Sequence, residues 1–272
     1  MLRKIALVSF ILFASFSIAQ SKNSLLWKIS GNGLKKDSYL YGTMHVSQKI
    51  AFHLDDVFYE ALAKSDFVGL ESDPSTWLEH MFNSSDELDY IRGLANNSSD
   101  FYNSPFELNE PKQQEIMFYL SREDVLLNGI LYRTNQMMQN FQEDTFLDMF
   151  IYQSGKKNRK KIYSLEDYNE SSSLVKKATS SSTAMKDKPD SWLQKELEEE
   201  GFLGLMNNAY RDRKVEYLDS INEAMYSKSY MKNMLYIRNK NMVNSIDSIV
   251  KKGSLFSAVG AAHLGGEKGV IQ

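Results

Sequence analysis

Residues 38–45 read SYLYGTMH and residues 254–263 read SLFSAVGAAH, and these two stretches decide how the chain folds. Each is a short apolar run that ends in Gly-x-x-His, which places His45 after the first run and His263 after the second. In open α/β sheets, binding residues lie beyond the carboxyl ends of parallel strands. The repeated motif therefore predicts two parallel strands that bring both histidines to one edge of a sheet.

The segments around the first motif predict a hairpin, a helix and a further strand. Residues 25–30 and 38–44 are apolar runs separated by GNGLKK, whose Gly and Asn favour the positive φ angles of a hairpin turn. Apolar residues recur at helical spacing in residues 54–66. Residues 67–71 (FVGLE) read as a short buried strand that ends in a carboxylate.

The middle of the chain predicts a large helical insertion. Residues 75–150 carry Met, Leu and Phe at mixed spacings typical of helices. A basic turn and a short strand are predicted within residues 155–167 (GKKNRKKIYSLED). Residues 169–190 are rich in Ser and Lys and lack an apolar period, so a mobile loop is predicted there.

The last third of the chain predicts helices followed by a buried strand. A helix is predicted to start at Ser191, with Gln194 placed for a capping box. A second long helix is predicted over residues 228–251, and a strand over residues 254–260. The fold class predicted from these elements is α/β (α+β), with a central mixed sheet, an N-terminal β-hairpin and the helical insertion.

Composition limits the functions open to this chain of 272 residues. Its net charge of −3 and pI of about 5.9 provide no strong basic field for nucleic acid, so no nucleic-acid partner is expected. The absence of cysteine excludes disulfides and thiolate ligands. Residues 1–19 combine positive charge, an apolar run and a small-x-small ending, which predicts a signal peptide.

This leader predicts an exported protein, periplasmic or secreted, with one domain over residues 20–272. No other stretch is apolar and long enough to span a bilayer, so no stable membrane anchor is predicted beyond the signal peptide.

Three residues form a candidate metal site. His45, His263 and Glu71 each follow an apolar run, and Gly42 and Gly260 would let the backbone turn tightly or approach another segment there. A partly desolvated carboxylate needs a cation or a proton. Two neutral imidazoles and a carboxylate suit a divalent ion such as manganese, cobalt or zinc, which would activate a bound water.

Two further charged residues occupy positions that suggest a role in catalysis. Arg238 falls on the apolar stripe of the helix predicted at 228–251, where a guanidinium needs a carboxylate partner. Glu71 and Glu166 are the candidates, since both follow predicted strands. Glu71 or Glu166 would serve as general base, and Arg238 would fix a carboxylate or stabilise a developing oxyanion.

Five segments in this order resemble the TraB/GumN family, which includes the Tiki membrane-anchored metalloproteases. They are LLWKIS…YLYGTMH, FVGLE, IYSLED, YIRNKNM and SAVGAAHLGGEKGV. The resemblance assigns the family's two Gly-x-x-His motifs to His45 and His263, its conserved glutamate to Glu71, its second glutamate to Glu166, and its Arg-Asn signature to Arg238 and the residue after it.

The resemblance implies a fold akin to erythromycin esterase and to the haem-binding lipoprotein ChaN. For Tiki-like members it implies divalent-metal-dependent cleavage of a peptide or protein substrate. Family members continue past the second motif, so the resemblance implies that this sequence, which stops at VIQ, is truncated at its C-terminus. Two alternatives stay open: a metal-free hydrolase of the esterase type, and a non-catalytic binder of peptide or haem.

Overall fold

A five-stranded sheet forms the centre of the protein in a computed structural model, which describes residues 23–45, 49–76, 146–180 and 184–272. The strands follow the order β1-β2-β5-β3-β4 across the sheet. Their bounds are Leu26–Ile29 (β1), Ser38–Thr43 (β2), Phe67–Leu70 (β3), Lys161–Ser164 (β4) and Leu255–Gly260 (β5).

The sheet is mixed, as predicted. β1 pairs with β2 in the antiparallel sense, whereas β2, β5, β3 and β4 run parallel to one another. Gly42 pairs with Val259, and Leu70 pairs with Ala258, so the ends of three strands lie side by side. The predicted parallel pairing of the two strands that precede the histidines is therefore confirmed.

The predicted N-terminal hairpin is also confirmed. Its turn uses three consecutive residues in the left-handed region, Gly31, Asn32 and Gly33, with φ of 93°, 45° and 77°. Glycine and asparagine adopt this region at low cost, which explains how the GNG sequence reverses the chain between β1 and β2.

Helices flank the sheet in the described part of the chain. Their bounds are Asp56–Lys64 (α1), Leu147–Lys157 (α2), Tyr168–Thr179 (α3), Ser191–Arg211 (α4), Val215–Met225 (α5), Lys228–Met231 (α6) and Ile237–Val250 (α7). Lys232–Tyr236 forms a π-helical turn that joins α6 to α7, and Lys49–Phe52 and Ala261–His263 are 3₁₀ turns. The long helix predicted over 228–251 is thus present, with an irregular turn inside it.

β5 is the centre of the core. All six of its residues are buried, as expected for a parallel strand covered on both faces. An aromatic cluster joins it to β2 and α1: the Phe58 ring lies 5.3 Å from the Phe256 ring and 4.7 Å from the Tyr41 ring. Burial of these large rings holds the ends of β2 and β5 in a fixed relation.

Two sequence predictions are wrong. Residues 169–190 do not form only a loop, because α3 occupies residues 168–179; the Asp167 side chain accepts from the Glu170 amide and starts this helix. Its inner face consists of Ser171, Leu174, Val175 and Ala178, a helical spacing that its polar composition obscures.

The capping box predicted at Ser191 and Gln194 is also absent. Asp190 takes the N-cap position of α4, and the Gln194 side chain donates to the Pro189 carbonyl at 2.7 Å instead. The helix itself begins at Ser191 as predicted, but its N-cap is Asp190, so Gln194 does not lie three residues after the N-cap as a capping box requires.

Several predictions fall outside the described residues. The signal peptide at 1–19 and most of the helical insertion at 75–150 lie there, and α2 is the part of that insertion that the structure describes. Within the described ranges, no helix has both the length and the apolar character needed to cross a bilayer. The likeness to erythromycin esterase and ChaN stays a prediction.

Candidate functional site

The structure brings the two predicted histidines and the predicted glutamate together at the carboxyl edge of the sheet. His45 follows β2, His263 ends the 3₁₀ turn after β5, and Glu71 follows β3. The Nε2 atom of His45 lies 3.6 Å from Glu71 Oε1, and the Nε2 atom of His263 lies 3.8 Å from the same oxygen. One carboxylate oxygen is therefore shared by two imidazoles that are 218 positions apart in the sequence.

A buried carboxylate orients His45. The Nδ1 atom of His45 lies 2.8 Å from Asp148 Oδ2, and the hydroxyl of Thr43 donates to Asp148 Oδ1 at 2.8 Å. The His45 side chain is 55% exposed. The negative charge of Asp148 raises the pKa of this imidazole well above its usual range, which favours the imidazolium form of His45 when no other cation is present.

An amide orients His263. Asn239 Nδ2 donates to the carbonyl of Lys268 at 2.7 Å, which fixes the amide so that its Oδ1 atom accepts from His263 Nδ1 at 2.5 Å. Burial lowers the pKa of His263 to about 4. At neutral pH this imidazole is therefore neutral, and its Nε2 lone pair faces Glu71.

Glu71 is held as an anion at the centre of the cluster. Its Oε1 atom accepts from the Gly260 amide at 2.6 Å, and its Oε2 atom accepts from Arg238 Nη2 at 2.7 Å. Burial opposes ionisation, but the His263 and His45 imidazoles and the Arg238 guanidinium hold the pKa of the Glu71 carboxyl well below its usual range. Because His263 is neutral at physiological pH, Arg238 is the permanent counter-charge.

The predicted carboxylate partner of Arg238 is confirmed, and both candidates bind it. Arg238 Nε donates to Glu166 Oε1 at 3.0 Å, and Nη2 donates to Glu166 Oε2 at 2.6 Å as well as to Glu71. The third nitrogen, Nη1, donates to the Met234 carbonyl at 3.2 Å. Burial raises the pKa of Glu166, and the guanidinium opposes that change.

The two motif glycines leave room for close approach. A Cβ atom on Gly42 would lie 2.6 Å from Leu264 Cδ1 and 3.2 Å from the Ala261 backbone. A Cβ atom on Gly260 would lie 3.2 Å from His45 Nε2, 3.3 Å from Glu71 Oε1 and 3.5 Å from a ring carbon of His263. Gly42 thus serves packing, whereas Gly260 keeps open the space on which the three predicted ligands converge.

Sequence reasoning missed Asp148 as a site residue. This carboxylate lies in α2 among the buried residues Leu147, Met149 and Ile151. A charge on an apolar stripe is the same signal that identified Arg238, so the sequence did contain it. His53 is exposed and takes no part in the cluster, and His80 lies outside the described residues.

His45, His263 and Glu71 carry imidazole nitrogens and a carboxylate, which are donor types found in divalent-cation sites. Each imidazole binds a side-chain oxygen through Nδ1 and directs Nε2 inward, which is the outer-shell arrangement typical of histidine ligands. The separations of 3.6 and 3.8 Å slightly exceed the roughly 3.3 Å expected between tetrahedral ligands that each lie about 2.0–2.1 Å from an ion. Across the described ranges, no group of three or more His, Cys, Asp or Glu side chains is positioned to hold a metal ion.

The fold and this cluster define an α/β protein with an acid–base centre at the carboxyl edge of its sheet. The sequence matches the TraB/PrgY/gumN family model over residues 25–272, and the chain therefore belongs to that family. Comparison with curated proteins and with solved structures gives no match.

Proposed function

We propose that this protein is an exported, divalent-metal-dependent hydrolase that cleaves a peptide substrate. The observation that carries the proposal is the convergence of His45 Nε2 and His263 Nε2 on Glu71 Oε1, at 3.6 and 3.8 Å, across the space that Gly260 leaves open. The peptide substrate is inferred from the resemblance to Tiki metalloproteases, and export is inferred from residues 1–19.

Electrostatics favours a cation in this space. The neutral His263 presents a lone pair toward an ionised carboxylate, and two such acceptors repel unless a proton or a cation lies between them. His45 supplies a proton when no cation is present, because Asp148 keeps it protonated. A metal ion would displace that proton, so uptake of the ion would release a proton from His45.

His45, His263 and Glu71 would hold the ion, with manganese, cobalt or zinc as candidates. When bound, the ion supplies a Lewis acid that lowers the pKa of water and polarises a carbonyl group. The protein contributes orientation: Asp148 and Asn239 fix the two rings, and Arg238 fixes the glutamate.

Glu71 is the better placed of the two glutamates for proton transfer. Its Oε1 atom faces the open space, so Glu71 is the glutamate that a water in that space could contact, although its lowered pKa makes it a weak base. Glu166 has a side chain only 2% exposed, and both of its oxygens bind Arg238. We therefore assign Glu166 and Arg238 to positioning Glu71, since the guanidinium already directs its donors to two carboxylates and a carbonyl.

A metal-free hydrolase is the second candidate, and the contact between His45 and Asp148 favours it. A carboxylate on Nδ1 and an accessible Nε2 are the arrangement of a histidine general base. Because the pKa of His45 is raised, such a base would act only at a pH high enough to deprotonate it.

Activity after metal removal separates the two candidates. The purified chain is exhaustively chelated, supplied with Mn²⁺, Co²⁺ or Zn²⁺, and incubated with a peptide library whose cleavage is followed by mass spectrometry. We expect cleavage that requires the ion and is abolished in His45→Ala. The matched control, His53→Ala, changes an exposed histidine outside the cluster and should retain activity.

Three results would contradict the metal-dependent assignment. Cleavage that survives chelation would favour the metal-free hydrolase, and metal-dependent cleavage in His45→Ala would refute the ligand set. Tight peptide or haem binding without any cleavage would make the protein a binder.

A further inference from the structure

A second feature, a basic groove, lies beside the candidate site along the segment that joins α6 to α7. It encloses about 1040 Å³. Five lysines and two carboxylates line it, an excess of three positive charges in a chain whose net charge is −3. A local field of opposite sign to the whole protein indicates a site selected for its charge.

One helical face supplies most of this charge. Lys228, Lys232, Tyr236 and Lys240 follow one another at intervals of four residues, and the π-helical turn lies within this run. Residues spaced by four share a helix face. A π-helical turn rotates the faces on either side of it and is frequent at functional sites. Here it lets one continuous segment carry a basic face and, at Arg238, a buried face toward Glu71.

The lysines of this face have free charges. Lys228, Lys232 and Lys240 are exposed, and none forms an ion pair with a carboxylate of the described residues. The two acidic groups of the groove have partners of their own: Asp190 binds Lys186 at 2.9 Å, and Glu223 accepts from the Tyr236 hydroxyl at 3.0 Å. Asp190 is thus paired with Lys186, whereas Glu223 keeps its negative charge, and the groove retains its excess of three positive charges.

Covalent and hydrogen-bonded connections link the groove to the candidate site. The Lys268 ammonium lies 4.4 Å from the centre of the Tyr236 ring, in cation–π geometry. The carbonyl of the same Lys268 accepts from Asn239, which orients His263. One wall of the groove and one of the proposed ligands are thus held by the same side chain.

We propose that this groove binds an acidic segment of the peptide that the candidate site cleaves. That the bound peptide is also a substrate rests on the proposed function, whereas its binding to the groove does not. Lysine ammonium groups on flexible stems suit separate carboxylates along a peptide. The Tyr226 ring lines the groove, is held by stacking on Tyr230 at 4.1 Å, and offers an apolar surface for the intervening chain. A long nucleic acid would run beyond the groove onto a protein of net negative charge.

Fluorescence polarisation of a labelled hexaglutamate peptide tests this proposal. The test variant Lys232→Glu/Lys240→Glu reverses two charges of the groove. The matched control Lys35→Glu/Lys64→Glu makes the same change in net charge at the amino end of the parallel strands, away from the groove. We expect binding about tenfold weaker in the test variant, little change in the control, and strong weakening by salt. Equal loss in both variants would overturn the proposal, because it would report net charge alone.

Three further arms complete the experiment. Cleavage by the wild type is scored separately from binding: a wild type that binds the acidic peptide but cleaves no peptide would refute the hydrolase and leave the groove proposal standing. A single-stranded oligonucleotide of equal charge that bound more tightly than the peptide would overturn the acidic-peptide assignment. A neutral Lys232→Gln/Lys240→Gln variant should weaken binding less than the charge reversal does, because the loss should follow charge. An equal loss in both variants would attribute it to misfolding.

Discussion

The two Gly-x-x-His motifs have the same sequence pattern but opposite electrostatics. His45 is more than half exposed and lies against the Asp148 carboxylate, which raises its pKa and favours the imidazolium. His263 is buried and lies against the Asn239 amide, so its pKa falls to about 4 and it is neutral. Both face one oxygen of Glu71.

The difference indicates that the partner on Nδ1 and the degree of burial, rather than the motif, set the charge of each histidine. One imidazole is ready to donate a lone pair to a cation, and the other holds a proton that a cation must displace. Without an ion, the protonated His45 ring contacts both the Asp148 and the Glu71 carboxylates, and Arg238 remains the permanent counter-charge of Glu71.

The largest effect is expected when Glu71, the carboxylate shared by both histidines, loses the positive charge of Arg238. In Arg238→Met, Glu71 and Glu166 would be left as buried acids without a cation, and we expect a loss of about 3–5 kcal/mol in the free energy of unfolding. Urea denaturation measures it. Arg238→Lys keeps the charge but not the bidentate geometry, so its stability should lie between those of the wild type and Arg238→Met. A wild-type stability for Arg238→Met would contradict the role of the guanidinium.

The neutral state of His263 predicts a dependence of stability on pH. Below pH 6.5 the unfolded chain binds a proton at this residue, whereas the folded protein binds one only near pH 4. The unfolded state therefore binds more protons in this window, and stability falls as pH falls from 6.5 to 4. The pKa difference corresponds to about 3 kcal/mol.

Thermal unfolding of the metal-free protein across this range checks the prediction. His263→Gln should remove that part of the acid destabilisation, while His53→Gln, at an exposed site, should not. Parallel pH profiles for wild type and His263→Gln would show that His263 is not neutral in the folded state.

Alanine at each motif glycine sharpens the comparison between packing and chemistry. Gly42→Ala forces a methyl group against Leu264 and the Ala261 backbone and should cost about 1–3 kcal/mol by overpacking. In Gly260→Ala the added methyl group meets only side chains, at 3.2–3.5 Å. We expect this variant to lose less stability than Gly42→Ala but to lose more of its affinity for a metal ion. Denaturation ranks the two variants by stability, and metal titration ranks them by affinity for the ion. If the same variant were the more damaged in both measurements, the separate roles of Gly42 in packing and Gly260 at the site would be contradicted.

The smallest effects are expected when the side chains that bind the two Nδ1 atoms, Asp148 and Asn239, are exchanged in type. Asp148→Asn should lower the pKa of His45, and Asn239→Asp should raise the pKa of His263, because each change removes or adds a carboxylate at Nδ1. Histidine NMR titration in a His53→Gln/His80→Gln background follows the two remaining rings. Unchanged pKa values would mean that burial alone sets the charges.

Much of the fold could be predicted because local signals agree with the tertiary structure. The GNG turn predicts the hairpin, and the apolar runs before His45 and His263 predict neighbouring parallel strands. Arg238 was found since a charge on an apolar stripe needs a buried partner. Asp148 carries the same signal, but residues 75–150 have apolar residues at mixed spacings, so the sequence does not delimit the helix on whose buried face it lies.

The errors have the same physical origin. The helix over residues 168–179 has only Leu174 and Val175 as large apolar residues on its inner face, and the Ser and Lys residues around them hide their helical spacing. The charges of the two histidines are likewise tertiary properties, because they depend on which side chain meets each Nδ1 atom.

The central claim is that His45, His263 and Glu71 bind one cation together. Equilibrium titration of the chelated protein with Mn²⁺, Co²⁺ and Zn²⁺ tests it most directly, using wild type, His45→Ala, His263→Ala and the outer-partner variant Asp148→Asn. We predict one ion per chain, a loss of about 10–100-fold for Asp148→Asn, and a larger loss for either histidine variant. Undiminished affinity in either histidine variant would contradict the shared site.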